Sequence, residues 1–345
     1  MQTAAVHQPH APAVDTLADW LEGEHGGTVE LAEPAVSKGE GFDSEVHLVR
    51  FSGAMLPAPW REPLALRVKA EADRGPEAVR EAAIQGWLAD RGYPAPRVLR
   101  VFAPGELVDL PVQVMERAPG VLLVDALKSR PWRARSLCGR LASVHAELHT
   151  LAPDGFPVDD DLLERRLRLA RTVCEALADD ALRRGLEQVD DLEPSLRAGP
   201  SSVCHGDFHP LNVLVAGSVV TVIDWTDAGI GDRHGDVART LLLLELAELA
   251  ASNHLERAVL RMVGPWLARS YRRAYERSLD IDPARVALWT PVQLLHGWAQ
   301  ARALHAGLFD RGDRPDDRAE RVPEALVAEL EGRFTAAMGQ ARGDL

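Results

Sequence analysis

Two short polar segments in the middle of the chain hold the residue types that a phosphoryl-transfer reaction needs. The first is His205–Asn212, which reads HGDFHPLN, and the second is Ile223–Trp225, which reads IDW. Asp207 offers a proton acceptor for an attacking hydroxyl group, while Asn212 and Asp224 offer oxygen ligands. Magnesium prefers oxygen ligands and usually takes only one or two carboxylates from a protein. These residue types therefore favour magnesium-dependent transfer of a phosphoryl group.

The residues between the two segments predict a β-hairpin. Two apolar stretches, Val213–Val215 and Val219–Ile223, flank the turn-like sequence Ala216–Ser218, which contains a glycine. A hairpin brings its two ends together. We therefore expect Asn212 and Asp224, which precede and follow the hairpin, to lie at its base.

Together, the two segments resemble the catalytic pattern of the aminoglycoside phosphotransferase and choline-kinase-like family, HGDxHxxN followed by IDW. A compound match is far more specific than a lone glycine-rich loop. The resemblance implies a bilobal protein-kinase-like fold and transfer of the γ-phosphate of ATP or GTP to a hydroxyl group of a small molecule, such as an aminoglycoside-like antibiotic or a related metabolite. It also implies that Asp207 is the catalytic base or orienting carboxylate and that Asn212 and Asp224 hold Mg²⁺.

The resemblance covers most of residues 14–306 and implies further contacts with the nucleotide. Lys38–Ser44 lies between two predicted strands, as the family's phosphate-covering loop does, and Gly39, Gly41 and Ser44 are the expected contacts with the triphosphate. Glycines between strands also occur in ordinary turns. The interpretation of this segment therefore depends on the downstream motif.

A predicted strand, Leu64–Lys69, resembles the family strand whose basic residue binds the α- and β-phosphates. The family register places Arg67 at that position, where lysine is usual. Side chains alternate along a strand with period two, so Lys69 shares a face with Arg67 and either residue fits the role. Glu81 matches the glutamate that pairs with this basic residue, and Glu77, one helical turn earlier, competes with it.

Two further segments match the family around the nucleotide and behind the catalytic loop. Val114–Gly120 resembles the interlobe hinge whose backbone reads the adenine edge, and the register assigns this to the C=O of Glu116 and the N–H of Ala118. Gly231–Asp236 resembles the segment whose last aspartate braces the catalytic loop. We therefore expect Asp236 to support the loop by hydrogen bonds.

The elements around these motifs divide the chain into two parts. The earlier residues predict about five antiparallel strands interrupted by one helix, and the later residues predict long amphipathic helices. The expected fold is α+β, with a small mixed N-terminal nucleotide-binding lobe over residues 1–118 and a larger, mainly helical C-terminal lobe over residues 119–345 that carries the catalytic loop and the acceptor site. The predicted strands are Thr28–Leu31, Glu45–Phe51, Pro63–Lys69, Val98–Phe102 and Leu107–Met115. The predicted helices are Val14–Leu21, Pro76–Arg91, Pro131–Leu151, Asp159–Ala178, Asp180–Leu192, Arg233–Ser252, His254–Arg277, Pro283–Ala306 and Ala319–Ala341.

Composition argues against several other classes of protein. The chain has 345 residues and a formal net charge of −13, which repels a nucleic-acid backbone. Cys138, Cys174 and Cys204 are widely spaced, which favours neither a disulfide framework nor a structural zinc site. We find no secretory signal and no apolar run long enough to span a bilayer. We therefore expect a cytoplasmic protein without nucleic-acid or membrane partners.

The histidines of the motif leave a metal-dependent hydrolase as one alternative. His205, Asp207 and His209 alternate as ligands on a strand would. A second cluster of comparable density is missing from the sequence, because His145 and His149, one turn apart on a predicted helix, are more typical of core or surface positions. The hydrolase interpretation also leaves the rest of the motif unexplained.

Two alternatives share the kinase-like fold. A protein kinase uses the same phosphoryl-transfer residues, but Thr226–Gly235 is too short for a long substrate-docking segment after the second aspartate. A catalytically silent relative would bind nucleotide or ligand without transfer, and the complete catalytic set argues against it.

The sequence does not select one acceptor. We expect a hydroxylated small molecule and favour a cationic acceptor over an anionic one. The chain is acidic, and carboxylates cluster at Asp159–Asp161 and Glu245–Glu248 in the predicted acceptor lobe. Acidic surfaces also serve solubility, which is the competing explanation.

Overall fold

The computed structural model describes residues 12–40, 44–159, 161–250, 253–308 and 322–343. The chain forms two compact units. The first contains residues up to Val121 together with Leu214–Thr226, and the second contains Leu122–Val213 and the chain from Asp227 onward. The predicted hairpin is therefore largely part of the first unit, although it follows most of the catalytic loop in sequence.

An antiparallel sheet forms the centre of the first unit. Its strands belong to the series β1 (Glu30–Leu31), β2 (Val36–Glu40), β3 (Ser44–Val49), β4 (Phe51–Ser52), β5 (Leu64–Lys69), β6 (Val98–Phe102) and β7 (Val112–Glu116). Five of them pair in the order β2-β3-β5-β7-β6, every neighbouring pair antiparallel. The sheet has five strands as predicted, but the expected member at Thr28–Leu31 is wrong. β1 pairs with β4 in a separate two-stranded sheet, and β2 takes the fifth place.

The core of the first unit forms on one face of this sheet, because alternate strand residues are apolar. Helix α1 (Pro12–His25) contributes Leu17 and Leu21 to the same buried cluster. Arg67 and Lys69 occupy the alternate positions of β5. The β5 residues of the cluster are Leu64, Leu66 and Val68.

Two helices lie between the strands of this unit, the short α2 (Ala58–Arg61) and the longer α3 (Gly75–Asp90). The bounds of α3 confirm the predicted helix to within one residue at each end. Pro76 stands in its first turn, where a missing N–H costs nothing. Ile84 and Leu88 are fully buried, and Glu81 on the same helix is also buried.

The remaining strands and helices include every helix that the sequence predicts for the later part of the chain. Two short helices, Leu123–Ser129 and Glu193–Arg197, were not predicted, since each has too few residues for a periodic pattern. The strands are β8 (Val121–Leu122), β9 (Ser201–Cys204), β10 (Val213–Ala216), β11 (Val219–Val222) and β12 (Gly229–Asp232). The helices are α4 (Leu123–Ser129), α5 (Ala134–Thr150), α6 (Leu162–Leu177), α7 (Asp180–Asp190), α8 (Glu193–Arg197), α9 (Arg233–Glu245), α10 (His254–Tyr275), α11 (Pro283–His305) and α12 (Glu324–Gly343).

Helix α11 lies at the centre of the core of the second unit, where it packs on α6, α9 and α12. Its residues Trp289, Leu295 and Trp298 are almost fully buried. A Cβ at Gly235 of α9 would lie 2.6 Å from the Trp289 ring, so glycine permits this close packing. Within the described ranges, none of the helices is long and apolar enough to cross a membrane.

Candidate active site

In the first unit, Arg67 and Lys69 both contact the carboxylate of Glu81. Arg67 Nη1 lies 2.6 Å from Glu81 Oε1, and Lys69 Nζ lies 3.1 Å from Oε2. The expected pairing of Glu81 is therefore present with both candidate residues. Glu81 is 1% exposed, and a carboxylate so deeply buried is tolerated only when it is paired and hydrogen-bonded.

The two cations differ in their other contacts. Lys69 is fully buried, and its ammonium group lies 3.1 Å from Glu77 Oε1 on the same helix as Glu81. Arg67 donates from Nε to Ser44 Oγ at 2.8 Å and from Nη2 to Asp224 Oδ1 at 3.4 Å. Arg67 therefore links β3, α3 and the end of the hairpin, whereas Lys69 binds the carboxylates of α3.

The predicted phosphate-covering loop is shorter than its composition indicated. Gly39 belongs to β2, at an irregularity in the pairing with β3, and Ser44 is the first residue of β3. The prediction of a loop over all of Lys38–Ser44 is therefore wrong at both ends, because strand pairing continues closer to the turn than the glycines suggest. Gly41 lies outside the described residues.

Asp224 has a backbone conformation that is uncommon for residues other than glycine, although aspartate adopts it more readily than most. Its φ is +64°, in the left-handed region where a non-glycine residue costs about 1–2 kcal/mol. Thr226 Oγ1 donates to Asp224 Oδ1 at 2.9 Å, and the next residue, Trp225, is fully buried and donates its backbone N–H to Glu81 Oε1 at 3.3 Å. Strain of this kind persists where surrounding contacts enforce it, and it concentrates at functional sites.

Glu116 and Ala118 lie where β7 ends. Glu116 is the last residue of the strand, and its carboxylate accepts the backbone N–H of Arg97 at 3.1 Å. Ala118 follows in irregular chain before Gly120, whose φ is +100°. A Cβ at Gly120 would overlap the carbonyl group of Val215. The chain after β7 therefore requires glycine at this point.

In the second unit, the carboxylate of Asp207 is held on both oxygens. Arg239 Nε and Nη2 lie 3.0 Å and 2.9 Å from Oδ1, and His209 Nε2 lies 3.1 Å from Oδ2. Burial raises the pKa of the Asp207 carboxyl, but the Arg239 guanidinium and the His209 hydrogen bond outweigh it and hold the pKa well below its ordinary value. Asp207 is therefore ionised at neutral pH and is a weak base.

The loop also fixes the orientation of His209 and Asn212. The Leu211 N–H donates to His209 Nδ1 at 3.2 Å, which turns Nε2 toward Asp207. Asn212 Nδ2 donates to the backbone oxygen of Asp207 at 2.9 Å. The amide oxygen of Asn212 is consequently the atom that this side chain offers to a cation.

Gly206 lets the loop pass close to two other segments. Its φ is +82°, and a Cβ there would lie 2.8 Å from Arg166 Nη2 and still closer to the backbone oxygen of Asp227. Arg166 Nη2 donates to the Gly206 carbonyl, and Nη1 donates to the Asp227 carboxylate at 3.2 Å. The residue before the predicted catalytic aspartate is therefore fixed by contacts that only glycine permits.

Helix α9 supports the same loop. The buried Asp236 carboxylate accepts the backbone N–H of His205 at 2.6 Å and that of Gly206 at 2.9 Å. On the same helix face, Thr240 Oγ1 donates to the backbone oxygen of Phe208 at 2.8 Å. The prediction that Asp236 braces the loop by hydrogen bonds is confirmed.

Two histidines of α5 also contact Asp236. His145 Nε2 and His149 Nε2 lie 3.0 Å and 3.3 Å from Oδ2, and each Nδ1 lies 2.6 Å from a tyrosine hydroxyl, that of Tyr271 or Tyr275. Burial lowers the pKa of His145 to about 3, so its ring is neutral. The sequence favoured core or surface positions for these histidines, and both are buried. Their connection to the loop was missed, and the matching four-residue spacing of the two tyrosines was its only signal.

The same three residues are spaced as metal ligands would be, since the ligand atoms of His145, His149 and Asp236 lie within 4.8 Å of one another. These atoms already have hydrogen-bond partners, however. The Asp236 oxygen that meets both rings also accepts the backbone N–H of His205. Among the residues that the structure describes, the cluster is completed by hydrogen bonds without a cation.

Two of the carboxylates that suggested a cationic acceptor are paired with arginines. Asp161 caps α6 and lies 2.5 Å from Arg197. Glu248 is buried, and its carboxylate lies 2.8 Å from Arg261. Asp160 lies outside the described residues. These pairs reduce the negative charge that the two acidic stretches offer to a ligand.

An antiparallel sheet, a helical unit and a braced HGD loop are typical of kinase-like transferases. Residues 58–289 match the model of the phosphotransferase enzyme family, which is more than half of the chain. The chain belongs to the phosphotransferase enzyme family.

Two curated relatives match about half of the chain. Aminoglycoside 3'-phosphotransferase of Streptomyces fradiae is 34% identical over 184 residues, which are 47% of this chain and 63% of that protein. Acyl-CoA dehydrogenase family member 10 of Mus musculus is 26% identical over 176 residues, which are 47% of this chain and 16% of that protein. The matched part therefore spans less than two thirds of either relative.

Solved structures show the same fold. A type VIII aminoglycoside 3'-phosphotransferase has a TM-score of 0.56 at 24% identity, covering 83% of this chain and 100% of that one. A thermostable mutant of aminoglycoside phosphotransferase APH(4)-Ia, in complex with ADP and hygromycin B, has a TM-score of 0.57 at 18% identity, covering 94% and 98%. Ethanolamine kinase of Plasmodium vivax has a TM-score of 0.57 at 13% identity, covering 95% and 87%. The predicted α+β, protein-kinase-like fold class is confirmed.

Proposed function

We propose that this protein is a magnesium-dependent phosphotransferase that moves the γ-phosphoryl group of ATP or GTP to a hydroxyl group of a small molecule. The observation that carries the proposal is the state of Asp207, an ionised carboxylate held on both oxygens in a loop whose backbone is itself braced. Family membership supports the reaction class. In this proposal, residues 1–118 bind the nucleotide, and residues 119–345 carry the catalytic loop and the acceptor site.

Asp207 acts in this reaction by orienting the acceptor hydroxyl. Its pKa lies well below the ordinary value. Protonation of the carboxylate is therefore unfavourable before the phosphoryl group has moved. A loose, largely dissociative transition state needs a well-placed hydroxyl more than a strong base. Asp207 therefore receives the hydrogen bond of the hydroxyl throughout the reaction and takes the proton only late.

Asn212 and Asp224 are the proposed ligands of Mg²⁺. One amide oxygen and one carboxylate fit an ion that prefers oxygen and takes few carboxylates. The orientation of the Asn212 amide and the strained backbone of Asp224 both support a functional role. When bound, Mg²⁺ supplies charge neutralisation on the triphosphate oxygens.

Arg67 is the proposed phosphate-binding residue, and Lys69 holds Glu81 and Glu77 in place. Arg67 is 14% exposed and contacts Asp224, whereas Lys69 is fully buried between two carboxylates. A planar guanidinium presents donors to a phosphate while it keeps its contact with Glu81. Glu81 therefore orients both cations.

The remaining nucleotide contacts are proposed from the resemblance. The backbone of Gly39 and Gly41 and the hydroxyl of Ser44 approach the triphosphate. The C=O of Glu116 and the N–H of Ala118 bind the adenine edge, and their place at the end of β7 suits this role because irregular chain follows the strand.

We further propose that the acceptor is a small hydroxylated molecule and that it is cationic. The Streptomyces fradiae relative is named as an aminoglycoside phosphotransferase, and aminoglycosides combine hydroxyl groups with amines. A protein kinase is disfavoured, because β12 and α9 begin directly after the Asp224 segment and leave no long docking segment. A catalytically silent relative is disfavoured by the ionised, oriented Asp207.

A phosphorylation screen tests the proposal. The purified protein is incubated with Mg²⁺ and either ATP or GTP, together with single acceptors including hygromycin B, other aminoglycosides, choline and ethanolamine. We expect one acceptor to gain the mass of a phosphoryl group, and we expect EDTA to abolish the gain. Loss of the activity in Asp207→Asn excludes a contaminating kinase. Nucleotide binding without phosphorylation of any acceptor would instead favour the silent relative.

A further inference from the structure

One face of α9 contacts four consecutive residues of the catalytic loop, His205–Phe208. Asp236 accepts two backbone N–H groups, and Thr240 donates to a backbone oxygen. Between them, Arg239 binds the loop through the Asp207 side chain. Positions three and four apart lie on one side of a helix, so these three residues act on the loop together. Arg239 is the member of this face that reaches the predicted catalytic carboxylate.

The two Asp207 oxygens are used unequally. Oδ1 receives two N–H groups from one guanidinium, Arg239 Nε at 3.0 Å and Nη2 at 2.9 Å. Among the described residues Oδ2 receives one, from His209 Nε2 at 3.1 Å. A carboxylate offers about two acceptor positions on each oxygen. Arg239 therefore fills Oδ1, and Oδ2 keeps one position for a further donor.

We propose that Arg239 is a positioning residue for phosphoryl transfer, which fills Asp207 Oδ1 and thereby directs the acceptor hydroxyl to Oδ2. The inference rests on the proposed function and deepens it. Arg239 is buried, with a side chain 10% exposed, and both of its contacts go to one oxygen. Without Arg239 the carboxylate gains a second open oxygen and rotates more freely, so fewer bound acceptors are aligned for transfer.

The test compares Arg239→Gln and Arg239→Lys with a matched control, Arg233→Gln. Arg233 is also on α9, but its guanidinium donates to the backbone oxygen of Asp280. We expect Arg239→Gln to lower kcat by about 10-fold to 100-fold, the range expected for misplacing a reacting group by about 1 Å. Arg239→Lys retains the charge with a single point contact and should be intermediate. The KM for Mg-ATP should stay within about twofold of the parent, and Arg233→Gln should match the parent.

Two measurements separate positioning from a loss of folding. Guanidinium ion added to Arg239→Ala should restore part of kcat, whereas sodium chloride of equal ionic strength should not. In the Asp207→Asn background, Arg239→Gln should lower kcat no further, because residues that act as a unit are not additive. If Arg239→Gln does not fold, Arg239→Lys decides: a lower kcat at unchanged KM supports the inference, and a kcat equal to the parent overturns it.

The outcome also distinguishes the inference from the function on which it rests. The probes are Mg-ATP with water, hygromycin B, choline and ethanolamine as acceptors. A parent protein that transfers phosphate to none of them overturns the proposed function and the inference with it. If the parent is active and a folded Arg239→Gln variant has the same kcat, the inference alone is overturned. The same holds if the effects of Arg239→Gln and Asp207→Asn on kcat are fully additive.

Discussion

Two buried carboxylates, one in each unit, are stabilised by different kinds of partners. Glu81 in the first unit is paired with two cations, Arg67 and Lys69. Asp236 in the second unit accepts two backbone N–H groups and the Nε2–H groups of His145 and His149. One carboxylate is thus held by ion pairs, and the other by hydrogen bonds from backbone amides and imidazole rings.

This difference matches what each region has to do. The guanidinium group of Arg67 has five N–H donors and is partly exposed, so it can contact a phosphate while it keeps Glu81. A fully satisfied buried network rigidifies the groups that compose it. The Asp236 network is suited to hold the loop backbone fixed, whereas the Glu81 cluster is suited to accept a charged ligand. The following changes, in order of decreasing effect, test that division.

The largest effect is expected at the loop. Asp207→Asn should lower kcat by roughly two to four powers of ten, because it removes the positioned acceptor of the hydroxyl proton. Nucleotide binding should be largely intact. Asp224→Ala should instead weaken binding of Mg-ATP, because it removes a proposed metal ligand. Steady-state kinetics and calorimetric titration with Mg-ATP distinguish the two, and parent-like activity in either variant would contradict the site.

Lys69→Ala should mainly affect stability. It leaves Glu81 and Glu77 without their shared ammonium group, and removing one partner of a buried pair costs about 3–5 kcal/mol. Urea denaturation at neutral pH measures the free energy of unfolding. Lys128→Ala is the matched control, because Lys128 is exposed and pairs only at the surface with Glu256. An unchanged unfolding midpoint for Lys69→Ala would contradict the proposed structural role of Lys69.

Arg67→Ala should mainly affect the nucleotide. We expect its KM for Mg-ATP to rise by about 10-fold, equivalent to about 1.4 kcal/mol of lost phosphate binding. Its stability should fall by less than that of Lys69→Ala, because Arg67 is partly exposed. If Lys69→Ala gave the larger rise in KM and remained folded, the phosphate-binding role would belong to Lys69.

The smallest expected effect is on the pH dependence of the free energy of unfolding. The pKa of His145 is lowered from 6.5 to about 3, chiefly by burial, with Asp236 opposing the shift. Between these values the unfolded chain binds a proton that the folded protein does not, so the free energy of unfolding falls as pH falls. One such group contributes up to about 1.4 kcal/mol per pH unit. His145→Gln should therefore flatten the dependence between about pH 5 and pH 6.5, and an unchanged slope would show that His145 titrates elsewhere.

The sequence was most informative where the chemistry is local. The spacing of Asp207, Asn212 and Asp224 predicted the loop and hairpin, because all three lie within one short stretch of chain. The helices were predicted well for the same reason, since their periodicity is a local property. The placement of Thr28–Leu31 was wrong because the choice of strand partner depends on distant residues, which a single strand does not encode.

The contacts of Arg239 and His145 were beyond the reach of sequence patterns. Arg239 lies 32 residues from Asp207, and His145 lies 91 residues from Asp236. No spacing rule connects such positions. In the sequence pattern, Arg239 is indistinguishable from other polar residues of an amphipathic helix. Only the path of α9 past the loop shows which carboxylate it contacts.

The hairpin of the first unit has a consequence for synthesis of the chain on the ribosome. Trp225 packs edge-on against Tyr93, and the Val222 N–H donates to the Pro94 carbonyl at 2.8 Å. The first unit therefore lacks part of its core until Leu214–Thr226 has been translated, about a hundred residues after Val121. At about 5–20 residues per second this takes roughly 5–20 s. Throughout that interval Tyr93, which is buried in the finished fold, lacks its ring contact with Trp225.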